Sequence, residues 1–310
     1  MNLLYISPEK PDIWRDEIAR QMPDADFRVW PDEIGDPAEI DVILCWRPPA
    51  DALRGYPNAK LIYNLGAGID ALMSDPTAPR DIPVVRLIDP LLTAGMTEYM
   101  VYWTLHFHRN FQRYAAQQKD HVWRSLPAAS TAGRRVGVLG LGELGAAAAR
   151  ALVRLGFGAV AGWSRTPKTI DGVESFSGAG DLKNFLGRTE ILLCLLPLTD
   201  ETRGIVNRDT LAALPRGACL INAARGAHVV DEDLLAALDG GHIAGAALDV
   251  FNAEPLPADH PYWRHPRVYV TPHNASLSIP EAAVGEIKSN LARLSAGEPL
   301  LGRVDFDRGY

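Results

Sequence analysis

Three side chains that could share one reaction stand just beyond three apolar runs: Arg225 after CLINAA, Glu254 after AALDVFNA and His273 after VYVTP. A guanidinium can hold a carboxylate and polarise a carbonyl beside it. An imidazole can supply a proton to the oxygen as that carbonyl is reduced. A glutamate hydrogen-bonded to the imidazole favours its charged, proton-donating form. Each residue alone has a bland reading, a solvated loop charge or a structurally satisfied histidine. Together, a cation, a carboxylate and an imidazole expected on one rim of a sheet, they match what reduction of a 2-keto acid by hydride needs.

Such a reaction needs a hydride donor, and one stretch is built to hold it. Residues 135–156, RVGVLGLGELGAAAARALVRLG, open with the apolar run Val136-Gly137-Val138-Leu139, the length of a buried strand. Gly140, Gly142 and Gly145 follow at G-x-G-x-x-G spacing, and an alanine-rich helical segment then runs to Gly156. This is the strand–turn–helix context of a dinucleotide fingerprint. Gly140 allows the tight turn, Gly142 a close approach of the backbone to pyrophosphate, and Gly145 close packing of helix on strand. The helix N-terminus offers amide donors to the phosphates. Glu143 and Leu144 inside the turn, with Leu196, Pro197 and Ala223 at the ends of neighbouring runs, complete the expected nucleotide contacts.

The nucleotide expected is NADP, used as NADPH. NAD-binding versions of the motif place an acidic residue about 20 positions beyond the glycines. Here the second strand ends Trp163-Ser164-Arg165-Thr166-Pro167-Lys168, without a carboxylate. Arg165 in that place suits a 2′-phosphate, with the Ser164 and Thr166 hydroxyls assisting.

The elements that must position these groups alternate along the chain. Apolar runs at Asn2–Ser7, Val42–Trp46, Leu61–Leu65 and Val84–Leu87 read as strands, with helical segments at Asp12–Gln21 and Ile69–Met73. A single long aromatic helix is expected from near Met96 through EYMVYWTLHFHRNFQRYAAQQKD, between two bodies of the protein. His106 and His108 within it are two apart and share no face, so both read as structural. Alternation resumes with strand runs at Phe157–Trp163, Ile191–Leu196, Cys219–Ala223, Ile243–Val250 and Val268–Thr271. An amphipathic helix follows Pro280, with Val284, Ile287, Leu291 and Leu294 at helical spacing. The fold class expected is α/β with two doubly wound parallel-sheet domains, a Rossmann dinucleotide-binding domain inserted into a flavodoxin-like substrate domain. The expected bounds are 1–97 and 276–310 for the substrate (catalytic) domain and 98–275 for the NADP-binding domain.

Composition removes other classes. The 310 residues are 47% hydrophobic and 22% charged, ordinary for a globular protein. A net charge of -7 argues against a nucleic-acid or anionic-membrane surface. No basic n-region opens the chain and no apolar run approaches the ~20 residues of a membrane span. Cys45, Cys194 and Cys219 each lie inside an apolar run without CxxC spacing, which suggests reduced thiols in a cytoplasmic protein and no metal site.

The segments NLGAGID (64–70), GVLGLGELG (137–145), LLPLT (195–199), INAARGAHVVDEDLLAAL (221–238), ALDVFNAEPLP (247–257) and HPRVYVTPHNA (265–275) resemble the D-isomer-specific 2-hydroxyacid dehydrogenase family, in its order and over nearly the whole chain. Trp46-Arg47-Pro48-Pro49, Trp163-Ser164-Arg165 and Arg308-Gly309-Tyr310 resemble one branch of it. The resemblance implies Arg225, Glu254 and His273 as the catalytic set, and the N–H groups of Ala67 and Gly68 as holders of the substrate carboxylate. It further implies Asp249 as the acid that bonds the nicotinamide amide, Trp46 as a pocket wall, and a homodimer with its dimerisation arm in residues 106–130.

Glutamate beside the histidine argues against the related formate dehydrogenases, where no alkoxide needs a proton. No arginine or lysine cluster marks a phosphorylated substrate, since Arg47, Arg86 and Arg109 are scattered. The activity expected is therefore NADPH-dependent reduction of small 2-keto acids, glyoxylate to glycolate and hydroxypyruvate to D-glycerate. The alternative is a nucleotide-sensing co-repressor of the same fold with little turnover, against which the missing carboxylate and the lack of disordered tails both weigh.

Overall fold

The computed structural model describes residues 1–127 and 129–306. The chain opens with β1 (Asn2–Ile6), α1 (Asp12–Gln21), β2 (Asp26–Val29), β3 (Val42–Cys45), β4 (Leu61–Asn64), α2 (Asp70–Ser74) and β5 (Val84–Arg86). It continues through α3 (Pro90–His108), α4 (Phe111–Lys119), β6 (Arg135–Leu139), α5 (Glu143–Arg154), β7 (Ala159–Ser164), β8 (Val173–Ser177), α6 (Gly178–Gly187) and β9 (Ile191–Cys194). Then come α7 (Arg208–Ala213), β10 (Ala218–Asn222), α8 (Asp231–Asp239), β11 (Ile243–Leu248), β12 (Val268–Val270) and α9 (Pro280–Ala296). Two compact units result: residues 1–92 with the chain from 277 onward, and Thr93–Ser276.

The first unit is a five-stranded parallel sheet in the order β2-β1-β3-β4-β5, the flavodoxin-like arrangement. Its inner strands are buried on both faces, which is why VILC and LIYN read as unbroken apolar runs. The returning chain completes this unit. Lys288 on α9 donates to the Gln21 carbonyl at 2.9 Å, and Val304 N–H donates to the Val84 carbonyl at 2.9 Å beside β5.

The second unit is a seven-stranded parallel sheet in the order β12-β11-β10-β9-β6-β7-β8. Strand order reverses between β6 and β9, the point at which doubly wound sheets bind ligands beyond their carboxyl ends. One face buries Phe185, Leu211, Leu234 and Leu238 from α6, α7 and α8. The other buries Met100, Trp103, Phe107, Ala148 and Leu152 from α3 and α5. Cys45, Cys194 and Cys219 are free and buried in the strands, and desolvation pushes each thiol up to about 12, so none is a nucleophile near neutrality.

Two local expectations change. The single long helix is two: Asn110 takes the left-handed conformation (φ 58°) and separates α3 from α4. Asparagine tolerates that backbone better than other side chains, so the apolar pattern crosses a real break. The edge strands β2 and β8, DFRV and VESFS, are too polar to stand out as apolar runs, because an edge strand keeps only one neighbour and more solvent. His108 is buried and accepts from Arg134 Nε at 3.4 Å; burial, then the charges of Arg134 and Arg109, lower its affinity for a proton.

Candidate active site

The parallel register sets three strand ends side by side. Asn222 pairs with Leu248, and Leu248 pairs with Val270, so β10, β11 and β12 finish level. The segments that follow them carry Arg225, Glu254 and His273. The chain separates these residues; the register brings their elements to one rim.

Each is fixed by local bonds. Asn222, fully buried at the end of β10, accepts from Ala224 N–H at 3.1 Å and donates to the Arg225 carbonyl at 3.0 Å. The half-buried Arg225 side chain donates from Nη1 to the Ala224 carbonyl at 2.7 Å. Gly226 lets this turn press on the segment after β11, since a Cβ there would lie 1.9 Å from the Phe251 carbonyl carbon. The same Phe251 donates its N–H to Glu254 Oε1 at 3.0 Å. Glu254 Oε2 in turn lies 2.7 Å from His273 Nδ1. A carboxylate accepts, so Nδ1 carries the hydrogen in this bond and Nε2 is left to exchange a proton. The two side chains are 20% and 24% exposed, covered enough to hold one geometry and open enough to meet a small molecule.

His273 adopts φ 52°, uncommon for any residue but glycine and costing on the order of 1 kcal/mol or more. Asp249 holds it there. The Asp249 carbonyl accepts from His273 N–H at 2.8 Å. Its carboxylate accepts from Asn274 N–H at 3.0 Å, Ala275 N–H at 2.9 Å and the Thr271 hydroxyl at 2.6 Å. Since Thr271 spends its hydrogen on Asp249, the Tyr99 hydroxyl donates to Thr271 Oγ1 at 2.8 Å. Burial raises the Tyr99 phenol above its ordinary value, which keeps that donor protonated. Thr271 and Tyr99 are absent from the residues expected to matter. A hydroxyl directly after an apolar strand, two before the histidine, is the signal that finds the first of them.

The residues expected to contact the nucleotide line the same carboxyl edge. Gly140 (φ 97°) directly follows β6 with its Cβ direction blocked by the Leu195 carbonyl at 2.6 Å, and Gly145 has no space at all for a Cβ, which would lie 1.8 Å from the Gly140 carbonyl oxygen. Gly142 meets nothing within 4 Å, and as N-cap of α5 it has no side chain bonded over the helix start. Backbone packed tightly beneath and open above is what a pyrophosphate fits. Leu196 and Pro197 follow β9, and Ala223 follows β10, both Leu196 and Ala223 buried. Ser164 ends β7, its hydroxyl donating to the Thr166 carbonyl at 2.8 Å, with Arg165 and Thr166 exposed beyond it.

Trp46, Ala67 and Gly68, the residues expected on the substrate side, lie in the first unit, after β3 and β4. The Trp46 ring occupies the space a Gly66 side chain would need, 2.3 Å from the position of its Cβ. Asn64 donates to the Gly66 and Gly68 carbonyls at 2.7 and 3.0 Å, and Arg86 to the Ala67 carbonyl at 3.3 Å. These bonds set the loop that carries the Ala67 and Gly68 amides. Residues 308–310, whose pattern resembles one branch of the family, lie outside the described residues.

Comparison with known proteins supplies the wider context. Residues 101–275 match the family described as D-isomer specific 2-hydroxyacid dehydrogenase, NAD binding domain. The chain is 42% identical over its full length, and that of its relative, to glyoxylate/hydroxypyruvate reductase A of Serratia proteamaculans (strain 568). Among solved structures, a D-isomer specific 2-hydroxyacid dehydrogenase from Xanthobacter autotrophicus Py2 in complex with NADPH and MES is 44% identical, with TM-score 0.96 over 100% of this chain and 99% of that one. The NADPH-dependent glyoxylate/hydroxypyruvate reductase of Sinorhizobium meliloti, solved with NADP and sulfate, is 37% identical, with TM-score 0.94 over the same shares. The chain belongs to the D-isomer-specific 2-hydroxyacid dehydrogenase family, and it is an oxidoreductase of that kind.

Proposed function

We propose that this protein reduces small unphosphorylated 2-keto acids with NADPH, turning glyoxylate into glycolate and hydroxypyruvate into D-glycerate. The observation that carries the chemistry is the 2.7 Å bond between Glu254 and His273, on a rim shared with Arg225. Arg225 holds the substrate carboxylate and polarises the carbonyl oxygen. When bound, the reduced nicotinamide supplies a hydride to the carbonyl carbon. His273 gives its Nε2 proton to the carbonyl oxygen, so keto acid, hydride and proton balance to the 2-hydroxy acid. Glu254 keeps the ring oriented through Nδ1, and Asp249 keeps the histidine backbone where that proton is delivered.

NADP is the cofactor. The turn from Gly140 to Gly145, with Leu196, Pro197 and Ala223, would hold the dinucleotide, and Ser164, Arg165 and Thr166 its 2′-phosphate. The family relatives solved with NADPH or NADP support that choice. In this reading Thr93–Ser276 is the nucleotide domain and the other unit the substrate domain. Trp46, Ala67 and Gly68 are the residues of that unit assigned to the substrate.

We also propose a homodimer working in the cytoplasm. Tyr102, Phe111, Val122 and Trp123 expose large apolar surface on or beside α3 and α4, as a self-association surface does. No described helix is long and apolar enough to cross a membrane. The test is NADPH oxidation followed with a panel of 2-keto acids. Turnover with glyoxylate and hydroxypyruvate is expected, and none with any 2-keto acid would overturn the reading.

A further inference from the structure

The turn that carries Arg225 rests on a histidine that none of this chemistry uses. His228 ends the short helical turn Gly226–His228 and is fully buried. Its Nε2 lies 3.2 Å from the Pro197 carbonyl, which can only accept, so Nε2 carries a hydrogen. Its Nδ1 accepts the Arg225 backbone N–H at 3.2 Å. It lies equally near the Arg225 carbonyl, but that oxygen already accepts from Asn222 and from the His228 N–H. A hydrogen on Nδ1 would also leave Nε2 facing the Pro197 oxygen without a donor. One tautomer satisfies both bonds. The ring is thus a strut between the loop after β9 and the backbone of Arg225.

The surroundings keep that strut taut. The Gly204 N–H donates to the Ala227 carbonyl at 2.8 Å, the Val206 N–H to the His228 carbonyl at 2.8 Å, and the Val230 N–H to the Val206 carbonyl at 3.0 Å. On its other side, the Arg225 turn is held by Asn222 and wedged against Phe251 at Gly226. A guanidinium on a long side chain magnifies any tilt of its backbone, and a misplacement of about 1 Å can cost on the order of 100-fold in rate. An apolar ring here would take the Nδ1 acceptor from the Arg225 N–H and one of two donors from the Pro197 carbonyl, which the Thr202 hydroxyl also reaches at 2.7 Å.

We propose that His228 is a positioning residue: its Nδ1 holds the Arg225 backbone N–H and so aims the guanidinium, while the Nε2–H bond to Pro197 fixes the tautomer that lets Nδ1 accept. This rests on the reading of Arg225 as the substrate-binding arginine. His228→Asn puts an amide oxygen where Nδ1 sits and keeps an acceptor for the Arg225 N–H. His228→Gln carries an amide nitrogen out to the Nε2 position, keeping the Pro197 bond but removing the Nδ1 acceptor from the Arg225 N–H.

The experiment measures kcat/KM for glyoxylate, NADPH affinity by fluorescence and melting temperature for both variants, and the ring ¹⁵N spectrum of His228 in the unmodified protein. Loss of the Nδ1 acceptor should lower kcat/KM about 10- to 100-fold in His228→Gln, with NADPH affinity within about twofold. The loss in His228→Asn should stay within about threefold, although its melting temperature falls as well. Equal kcat/KM in the two variants, or losses that simply follow melting temperature, would overturn the proposal. So would a ring spectrum with the hydrogen on Nδ1. That spectrum needs neither variants nor turnover, so it still judges the strut if no 2-keto acid is reduced and the functional reading fails.

Discussion

The glycine turn after β6 and the rim beyond β10–β12 belong to one sheet but are made in opposite ways. The turn is local: within six residues, 140–145, bare backbone is packed against bare backbone, and a Cβ on Gly145 would sit 1.8 Å from the Gly140 carbonyl. The rim is assembled from positions 225, 254 and 273, and side chains clamp backbone there. Asn222 grips the Arg225 turn, Glu254 bonds Phe251 N–H, and Asp249 gathers three donors around His273. A phosphate needs only amides and space, and a glycine loop supplies them. A proton donor and a guanidinium must be aimed, and aiming takes a supporting shell.

If the two regions divide binding from chemistry, substitutions should separate them. The largest effect is expected at the rim. His273→Ala should lower kcat by about 10²–10⁴-fold and leave NADPH affinity nearly intact, read by steady-state kinetics beside fluorescence titration. An unchanged kcat would remove it as the proton donor. Next comes the nucleotide end. Arg165→Asp should shift the NADPH-over-NADH preference by about 10- to 100-fold, because a carboxylate repels the 2′-phosphate and can bond free ribose hydroxyls. Saturated turnover with the better nucleotide should hardly move. If the variant still strongly prefers NADPH, the phosphate contact lies elsewhere.

The smallest effect sharpens the comparison. Thr271→Val deletes one donor to Asp249, a bond worth about 0.5–1.5 kcal/mol, so kcat should fall by roughly 2- to 12-fold. Thr271→Ser restores the hydroxyl and should restore kcat. Were serine no better than valine, shape rather than the hydrogen bond would hold the His273 loop.

Much of this was legible along the chain, for a physical reason. Parallel strands covered on both faces must be apolar throughout, so β3, β6, β9 and β10 announce themselves as short runs, and the candidate site residues stand directly after them. The glycine turn was legible because its geometry excludes side chains, and an absence of side chains is written in residue type. The edge strands β2 and β8 and the break at Asn110 were not, because partial exposure and a single left-handed residue leave the periodicity almost untouched.

The sequence alone therefore determined the alternation of elements, the nucleotide fingerprint and the identity of the groups able to do chemistry. Tertiary structure decided their relations. That Glu254 meets Nδ1 of His273, that Asp249 spends its carboxylate on the loop beside it, and that His228 props the Arg225 backbone all depend on strand register and close packing. Residue type fixes what a group can donate or accept, but only the folded chain decides which partner comes within 3 Å of it.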